Sequence, residues 1–186
     1  QGLSLPRGEY GATRVIGFDN LDVPTLTGAD QVLVGRRDTA ARVNARLRTF
    51  LGHTDPLPQP GDKLCCGKNI HAEGAFNGTL WRVDTVQRAD NEFLKLGLRA
   101  DDDAGHKIKV VVHVAHFTGG ADALLPAHKR RSKVFSYGYA LTVHKAQGSQ
   151  WDHVVLIDEA ASFPGLCDKW RYTGITRAVE RLTFVN

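Results

Sequence analysis

The strongest constraint on the fold is a set of short, almost wholly apolar runs. They are QVLVG at residues 31–35, YALTV at 139–143, VVLID at 154–158 and LTFV at 182–185. Such runs, without polar alternation, are typical of strands buried on both faces of a parallel sheet. One helical pattern begins at about Thr39, with Asp38 as the expected N-cap, and a second helical pattern covers residues 170–181. The sequence therefore predicts an α/β domain.

Between these groups the pattern changes to short runs rich in β-forming residues. A proline-rich segment, residues 54–61, ends the first helical pattern. The runs TLWRVDTV, FLKLGLRA and KIKVVVHVAHF follow, separated by turn signals such as Asn77-Gly78. This spacing predicts a small antiparallel barrel inserted into the α/β domain. We place the insertion at residues 57–117 and the α/β domain at residues 1–56 and 118–186.

Composition excludes several classes of protein. No apolar run reaches the roughly 18 residues of a membrane span, and no signal-peptide pattern opens the chain, so we expect a cytoplasmic protein without a membrane partner. The three cysteines match no zinc spacing, and no metal site is predicted. A net charge of +4 favours a polyanionic partner. Because methionine is absent even at position 1, we expect a piece of a longer protein.

The segment with the most chemistry is YGYALTVHKAQGSQWD, residues 137–152. It is expected to be a buried strand that breaks into a polar loop, and loops at the carboxyl ends of parallel strands commonly hold ligands. Thr142 and His144 can donate to a nucleic-acid phosphate, and Gly148 allows the backbone to approach a bound nucleotide. The simpler alternative is a buried strand followed by a polar turn, in which His144 is only structural.

ALTVHKAQGSQWD resembles motif V of superfamily 1 helicases, particularly of the RecD-like and phage Dda-like branch. YTGITRA, residues 172–178, resembles motif VI, and Arg36 aligns with the arginine of motif IV. This resemblance implies that Arg177, expected on a helix, and Arg36 are catalytic contacts to the γ-phosphate. It also implies that Gly148 and Gln150 lie near the nucleotide. The residues expected along single-stranded DNA are Thr142, His144, Lys145, Gln147 and Ser149.

The resemblance implies a RecA-like C-terminal motor domain of an ATP-dependent DNA helicase, with an SH3-like insertion and 5′ to 3′ movement on single-stranded DNA. ATP and Mg²⁺ would be bound mainly by an N-terminal RecA-like domain of the same parent protein. That domain and single-stranded DNA are the expected partners, together with other recombination or replication proteins. This chain alone is expected to be inactive, because neither motif is preceded by a phosphate-binding loop.

Two segments imitate parts of an ATPase core. GDKLCCGKN, residues 61–69, has five residues between its glycines where a phosphate loop needs four, so we interpret it as the entry to a strand. VVLIDEA, residues 154–160, ends on Asp158 and Glu159 and is interpreted as a core strand with a polar exit. Two alternatives stay open: a non-catalytic nucleic-acid-binding module of helicase fold, and a free-standing ATPase that uses Asp158.

Overall fold

The computed structural model describes residues 6–186. The helices are α1 (Val23–Thr27), α2 (Arg37–Phe50), α3 (Ala115–Thr118), α4 (Pro126–Arg131) and α5 (Cys167–Ile175). The strands are β1 (Gly8–Tyr10), β2 (Thr13–Ile16), β3 (Gln31–Val34), β4 (Lys63–Cys66), β5 (Leu80–Arg88), β6 (Phe93–Ala100), β7 (Lys107–His113), β8 (Phe135–Tyr137), β9 (Ala140–Thr142), β10 (Trp151–Ile157) and β11 (Ala178–Val185). Among these helices, none is long and apolar enough to cross a membrane.

The chain forms two compact units. The first contains the chain through Phe50 together with Tyr139–Asn186, and the second is Leu51–Gly138. Residues 51–56 and 118–138, which the sequence analysis placed in the α/β domain, belong to the second unit. For residues 118–138 the reason is that β8 pairs antiparallel with β4, so this stretch adds a strand to the second unit's sheet.

The first unit is built on a six-stranded sheet with the order β1-β2-β11-β10-β3-β9. All neighbours pair in parallel except β1 and β2. In the central strand β10, Val154, Val155 and Leu156 are fully buried, as expected for a parallel strand. The mixed α/β fold with a parallel sheet is thus confirmed.

Both predicted helices of this unit have different bounds in the structure. α2 begins at Arg37 rather than at Thr39, so Asp38 lies within the first turn and is not the N-cap. α5 ends at Ile175, and the residues from Ala178 onward form β11 instead of continuing the helix to residue 181. Parallel pairing of β11 with both β10 and β2 overrides the helical pattern there.

Asn44 of α2 completes the hydrogen bonding of the sheet edge. Its side-chain Nδ2 donates to the carbonyl of Ala140 at 3.0 Å, and its Oδ1 accepts from the N–H of Ala140 at 2.8 Å. Ala140 lies in β9, the last strand of the sheet order. A buried amide side chain therefore satisfies the two backbone groups that a further strand would have paired.

The second unit is an antiparallel sheet of five strands with the order β7-β6-β5-β4-β8. Its core is a cluster of buried apolar residues that includes Leu64, Trp81, Leu96, Val112 and Phe135. The predicted long strand at residues 107–117 is shorter in the structure, since β7 ends at His113 and α3 follows.

Candidate functional site

The loop after β9 is held in a fixed shape by its own backbone. The carbonyl of Thr142 accepts from the N–H groups of Lys145 at 2.9 Å and Ala146 at 3.1 Å, and the carbonyl of Ala146 accepts from Ser149 at 3.1 Å. Ala146 is fully buried and anchors the middle of the loop. Gly148 has a φ of +90° with open space around its Cα, so the backbone conformation favours glycine.

This loop connects opposite ends of the parallel strands. It leaves the carboxyl end of β9 and enters the amino end of β10, and both strands run parallel to β3. Thr142 and the exposed His144 therefore lie at the carboxyl end of the sheet. Ser149 and Gln150 lie at the amino end, and the exposed Gln147 precedes them in the loop. The loop thus has two of the predicted DNA contacts, Thr142 and His144, at one end of the sheet, while Ser149, also predicted to contact DNA, lies at the other end between the predicted nucleotide contacts Gly148 and Gln150.

Arg177 lies in the turn between α5 and β11, so its predicted position on a helix is wrong. Its guanidinium donates to the carbonyls of Thr173 and Ser149, both at 3.1 Å, and to Oγ1 of Thr176 at 3.0 Å. All three acceptors are neutral oxygens. Across residues 6–186, no carboxylate lies within ion-pair distance of this half-buried cation. Arg177 therefore takes part in no surface ion pair among these residues.

Three of the predicted nucleotide residues are close to one another in the structure. Nε2 of Gln150 donates to the carbonyl of Thr176 at 3.2 Å, next to Arg177 in the chain. The N–H of Trp151 donates to the carbonyl of Arg177 at 2.9 Å. Gly148, Gln150 and Arg177 therefore lie near one another at the amino end of the strands, and their role at a nucleotide stays a prediction.

Arg36 lies at the other end of the sheet. It follows β3, and its guanidinium binds both carboxylate oxygens of Asp38 at 3.0 Å. These hydrogen bonds raise the pKa of Arg36 and lower the pKa of Asp38. The seven residues of β10 separate the two ends by about 20 Å, at roughly 3.3 Å per residue. In this arrangement the structure does not bring Arg36 and Arg177 together.

The cap of α2 comes from a distant part of the chain. Oε2 of Glu159 accepts from the N–H groups of Gly35 at 2.8 Å and Arg36 at 2.9 Å, and its Oε1 accepts from Oγ1 of Thr39 at 2.6 Å. A carboxylate is favourable at the positive end of a helix. Because Glu159 follows β10, no local sequence signal before α2 could have revealed this cap.

Asp158 is paired with an arginine of α5. Its Oδ2 contacts Nη2 of Arg171 at 2.8 Å and Nε at 3.0 Å, and this hydrogen bonding raises the pKa of Arg171. Arg171 stands where the helicase resemblance usually has an aliphatic residue. Since Asp158 and Glu159 are both held by positively polarised groups, the two carboxylates do not fit a Mg²⁺ site, which agrees with their interpretation as a polar strand exit.

The segment that imitates a phosphate loop is also structural. Lys63–Cys66 form the buried strand β4, and Nζ of Lys63 lies 3.4 Å from Oδ2 of Asp101. The lysine that would stand in a phosphate loop is Lys68, and it follows β4 in a bend instead of opening an α-helix. The strand entry predicted from the glycine spacing is what the structure shows.

One side-chain group in the second unit has the composition of a metal site. Glu92, His113 and His128 offer ligand atoms within 4.8 Å of one another. However, Nδ1 of His113 accepts a hydrogen bond from the N–H of Ala115 at 3.0 Å. The neutral ring must then carry its proton on Nε2, the atom that faces Glu92. A protonated nitrogen cannot bind a metal, so we assign no metal to this group.

Comparison with known proteins points to one family. A family model for the UvrD-like helicase C-terminal domain matches residues 137–185, which include the loop and Arg177. The ATP-dependent RecD2 DNA helicase of Deinococcus radiodurans is 33% identical over 125 residues, covering 66% of this chain and 14% of that protein. The resemblance to the C-terminal part of superfamily 1 helicases is confirmed.

Solved structures with a similar fold are Pif1 helicases. A structure of two coordinating Pif1 helicases at forked DNA gives a TM-score of 0.56 at 15% identity, covering 83% of this chain and 38% of that one. Bacteroides Pif1 in complex with ADP-AlF₃ and single-stranded DNA gives a TM-score of 0.51 at 14% identity. The match covers 83% of this chain and 39% of that one. At these identities the likeness shows the fold alone. This chain spans less than half the length of these relatives.

Proposed function

We propose that this chain is the C-terminal motor domain of an ATP-dependent DNA helicase. The observation that carries the proposal is the state of Arg177, a half-buried cation whose hydrogen-bond acceptors are all neutral. A positive charge held without a counter-charge is suited to an anion from another domain. In phosphoryl transfer such an arginine stabilises charge that develops on the phosphate oxygens.

The other half of the motor would be an N-terminal RecA-like domain. It would supply the phosphate loop, the carboxylate for Mg²⁺ and the base, because Asp158 and Glu159 of this chain are engaged with Arg171 and α2. When bound between the two domains, ATP supplies the phosphoryl group. In this chain Arg177 would contact the γ-phosphate, while Gly148 and Gln150 would line the same side of the nucleotide.

Single-stranded DNA would cross the carboxyl end of the sheet. Thr142 and His144 are placed there, and Lys145, Gln147 and Ser149 continue along the loop toward the nucleotide side. The Pif1 neighbour described as bound to single-stranded DNA and ADP-AlF₃ supports both ligand classes for the fold. Movement in the 5′ to 3′ direction is proposed from the RecD and Dda resemblance. Arg36 would have to leave Asp38 before it could contact any phosphate.

The second unit is proposed to be an SH3-like insertion. Beyond its antiparallel strand order, the N–H of Lys133, just before β8, donates to the carbonyl of Val111 in β7 at 2.8 Å. The two edge strands of the sheet thus approach each other, as in a closing barrel. Deleting residues 51–138 with a short linker should impair unwinding more than DNA-stimulated ATP turnover. Equal loss of both, in a variant that still folds, would contradict an accessory role.

The decisive test is Arg177→Ala in the full-length gene product. Turnover of ATP should fall by about 10³ to 10⁵, while folding and single-stranded DNA binding are retained. Arg177→Lys should restore little ATP turnover, because the ammonium group is a point charge and lacks the planar set of donors of the guanidinium group. The matched control is Arg181→Ala, which removes an exposed arginine four residues away in β11. ATP turnover by Arg177→Ala within about threefold of the wild-type rate would show that Arg177 has no part in the mechanism.

A non-catalytic nucleic-acid-binding module is the second candidate, favoured by the engaged carboxylates of this chain. It predicts DNA binding without ATP turnover in the full-length gene product. Turnover that depends on both single-stranded DNA and Arg177 would exclude it.

A further inference from the structure

Three aromatic rings form a continuous line at the carboxyl end of the sheet. The ring of Phe163 lies 5.3 Å from that of His144 with a tilt of 56°, and 5.7 Å from that of Trp170 in a nearly parallel stack of 14°. His144 is exposed, Phe163 is half-buried and Trp170 is buried. The line therefore leads from the surface proposed to contact DNA into the packed face of α5.

Phe163 also packs against the backbone that leads into α2. A Cβ on Gly35 would lie 3.0 Å from the Phe163 ring and 2.8 Å from Cβ of Glu159. The side chain of Phe163 thus touches three separate parts of the first unit: the loop after β9, the start of α2, and α5. Sequence analysis missed this residue, because nothing in its neighbourhood distinguishes it from any other apolar loop residue.

α5 connects this aromatic line to Arg177. Trp170 lies in the first half of the helix, and Gly174 lies in its last turn. A Cβ on Gly174 would meet Leu156 at 2.8 Å and Val143 at 3.2 Å, so the helix packs directly on β10 and on the residue that precedes His144. Arg177 follows the helix and holds the carbonyl of Ser149. The same loop is therefore contacted by Phe163 at its start and by Arg177 at its end.

We propose that Phe163 is a positioning residue that couples nucleic-acid binding at His144 to the placement of Arg177. A phosphate that fixes the His144 ring restricts the Phe163 ring, which in turn restricts Trp170 and the orientation of α5. A helix transmits such a restriction because its backbone is stiff over its nine residues. This inference rests on the proposed function and adds to it a residue outside the helicase motifs.

The first experiment uses the 186-residue chain with ¹⁵N label and oligo(dT) as the probe. Nε–H of Arg177 donates to Thr173, so its NMR signal reports the state of this arginine. At saturating oligo(dT), the wild-type signal should shift. The shift should fall by about fivefold or more in Phe163→Leu and be largely kept in Phe163→Tyr, which retains the ring. Phe18→Leu, at an exposed phenylalanine of the same unit, is the matched control and should shift like wild type.

Two results would overturn the coupling: an unmoved Arg177 signal in wild type at saturation, or an unchanged shift in Phe163→Leu. An unmoved wild-type signal overturns the coupling without any variant, and Phe163→Ile, which also lacks the ring, takes the place of Phe163→Leu if that variant does not fold. Failure of oligo(dT) to bind the chain would overturn the proposed DNA contact, and this inference with it.

The second experiment separates this inference from the proposed function. In the full-length gene product, the ratio of ATP turnover with and without single-stranded DNA should fall about fivefold or more in Phe163→Leu, and not in Phe18→Leu. A ratio that stays at the wild-type value, in an enzyme that requires Arg177, overturns the coupling alone. An enzyme that does not require Arg177 overturns the proposed catalytic role, whereas the NMR result is unaffected.

Discussion

The guanidinium of Arg177 donates to the backbone carbonyl of Ser149 at 3.1 Å, which joins the end of α5 to the end of the loop after β9. Together with the hydrogen bonds from Gln150 to Thr176 and from Trp151 to Arg177, this contact connects the two segments that resemble helicase motifs V and VI. A ligand that draws Arg177 away must break this hydrogen bond at the end of the loop that begins at Thr142. The relationship gives a physical basis for communication between the two ends of the sheet.

The chain by itself should hydrolyse no ATP, even with saturating single-stranded DNA. Arg177 can stabilise charge on a phosphate, but no group described in this chain can cradle or activate the nucleotide. Binding to single-stranded DNA should be weak and should weaken further as salt rises, because it rests on few phosphate contacts. A phosphate-release assay and fluorescence anisotropy over a salt series measure both. Steady DNA-stimulated turnover, or an affinity insensitive to salt, would contradict the half-motor proposal.

Arg171→Leu should destabilise the first unit by roughly 1–3 kcal/mol, because it leaves the largely buried carboxylate of Asp158 without its charged partner. Leucine is a fair test, since aliphatic residues are usual at this position in the resembled family. Adding Asp158→Asn to Arg171→Leu should recover part of the lost free energy of unfolding. Urea denaturation of the two single variants and the double variant measures this recovery. Strictly additive losses would show that the ion pair contributes nothing of its own.

Asn44→Ala should cost roughly 1–3 kcal/mol of unfolding free energy, because both backbone groups of Ala140 lose their partner at the sheet edge. Hydrogen exchange at the amide of Ala140 should accelerate more than exchange in the central strand β10. Thr49→Ala, an exposed position five residues along the same helix, is the control. Equal protection of Ala140 in Asn44→Ala and wild type would refute the role assigned to this amide.

Asp101 should make the second unit sensitive to acid. Burial alone would raise the pKa of Asp101, but Lys63 and Arg82 lower it below its usual value of 3.8. A lowered folded-state pKa stabilises the protein above the unfolded-state value, and this contribution is lost as the pH falls through the folded-state pKa. Melting temperature should therefore decline below about pH 4 with a smaller slope in Asp101→Asn. Asp101→Asn should also lower the free energy of unfolding by roughly 1–3 kcal/mol near neutral pH, because it removes the charge that contacts the buried Lys63.

Local sequence was sufficient to predict the strands that are buried on both faces and the polar loop that follows one of them. Short apolar runs are typical of strands buried on both faces, and the polar HKAQGS directly follows one of them, so the parallel sheet and the loop were predictable. The glycine spacing of residues 61–69 likewise predicted a strand. The roles of the residues proposed for DNA and nucleotide come from the motif resemblance and stay predictions.

Tertiary structure decided what depends on partners far apart in the chain. Glu159, and not Asp38, caps α2, and Arg171 of α5 pairs with Asp158. Both contacts form because the end of β10 lies beside α2 and α5. Pairing in the sheet, which no helical period reveals, ended α5 before Arg177. The sequence determined which residues are chemically able to bind a phosphate. Only the folded chain determined that Arg177 has no counter-charge within residues 6–186 while Arg36 has one, since charge pairing depends on distances that the order of residues does not contain.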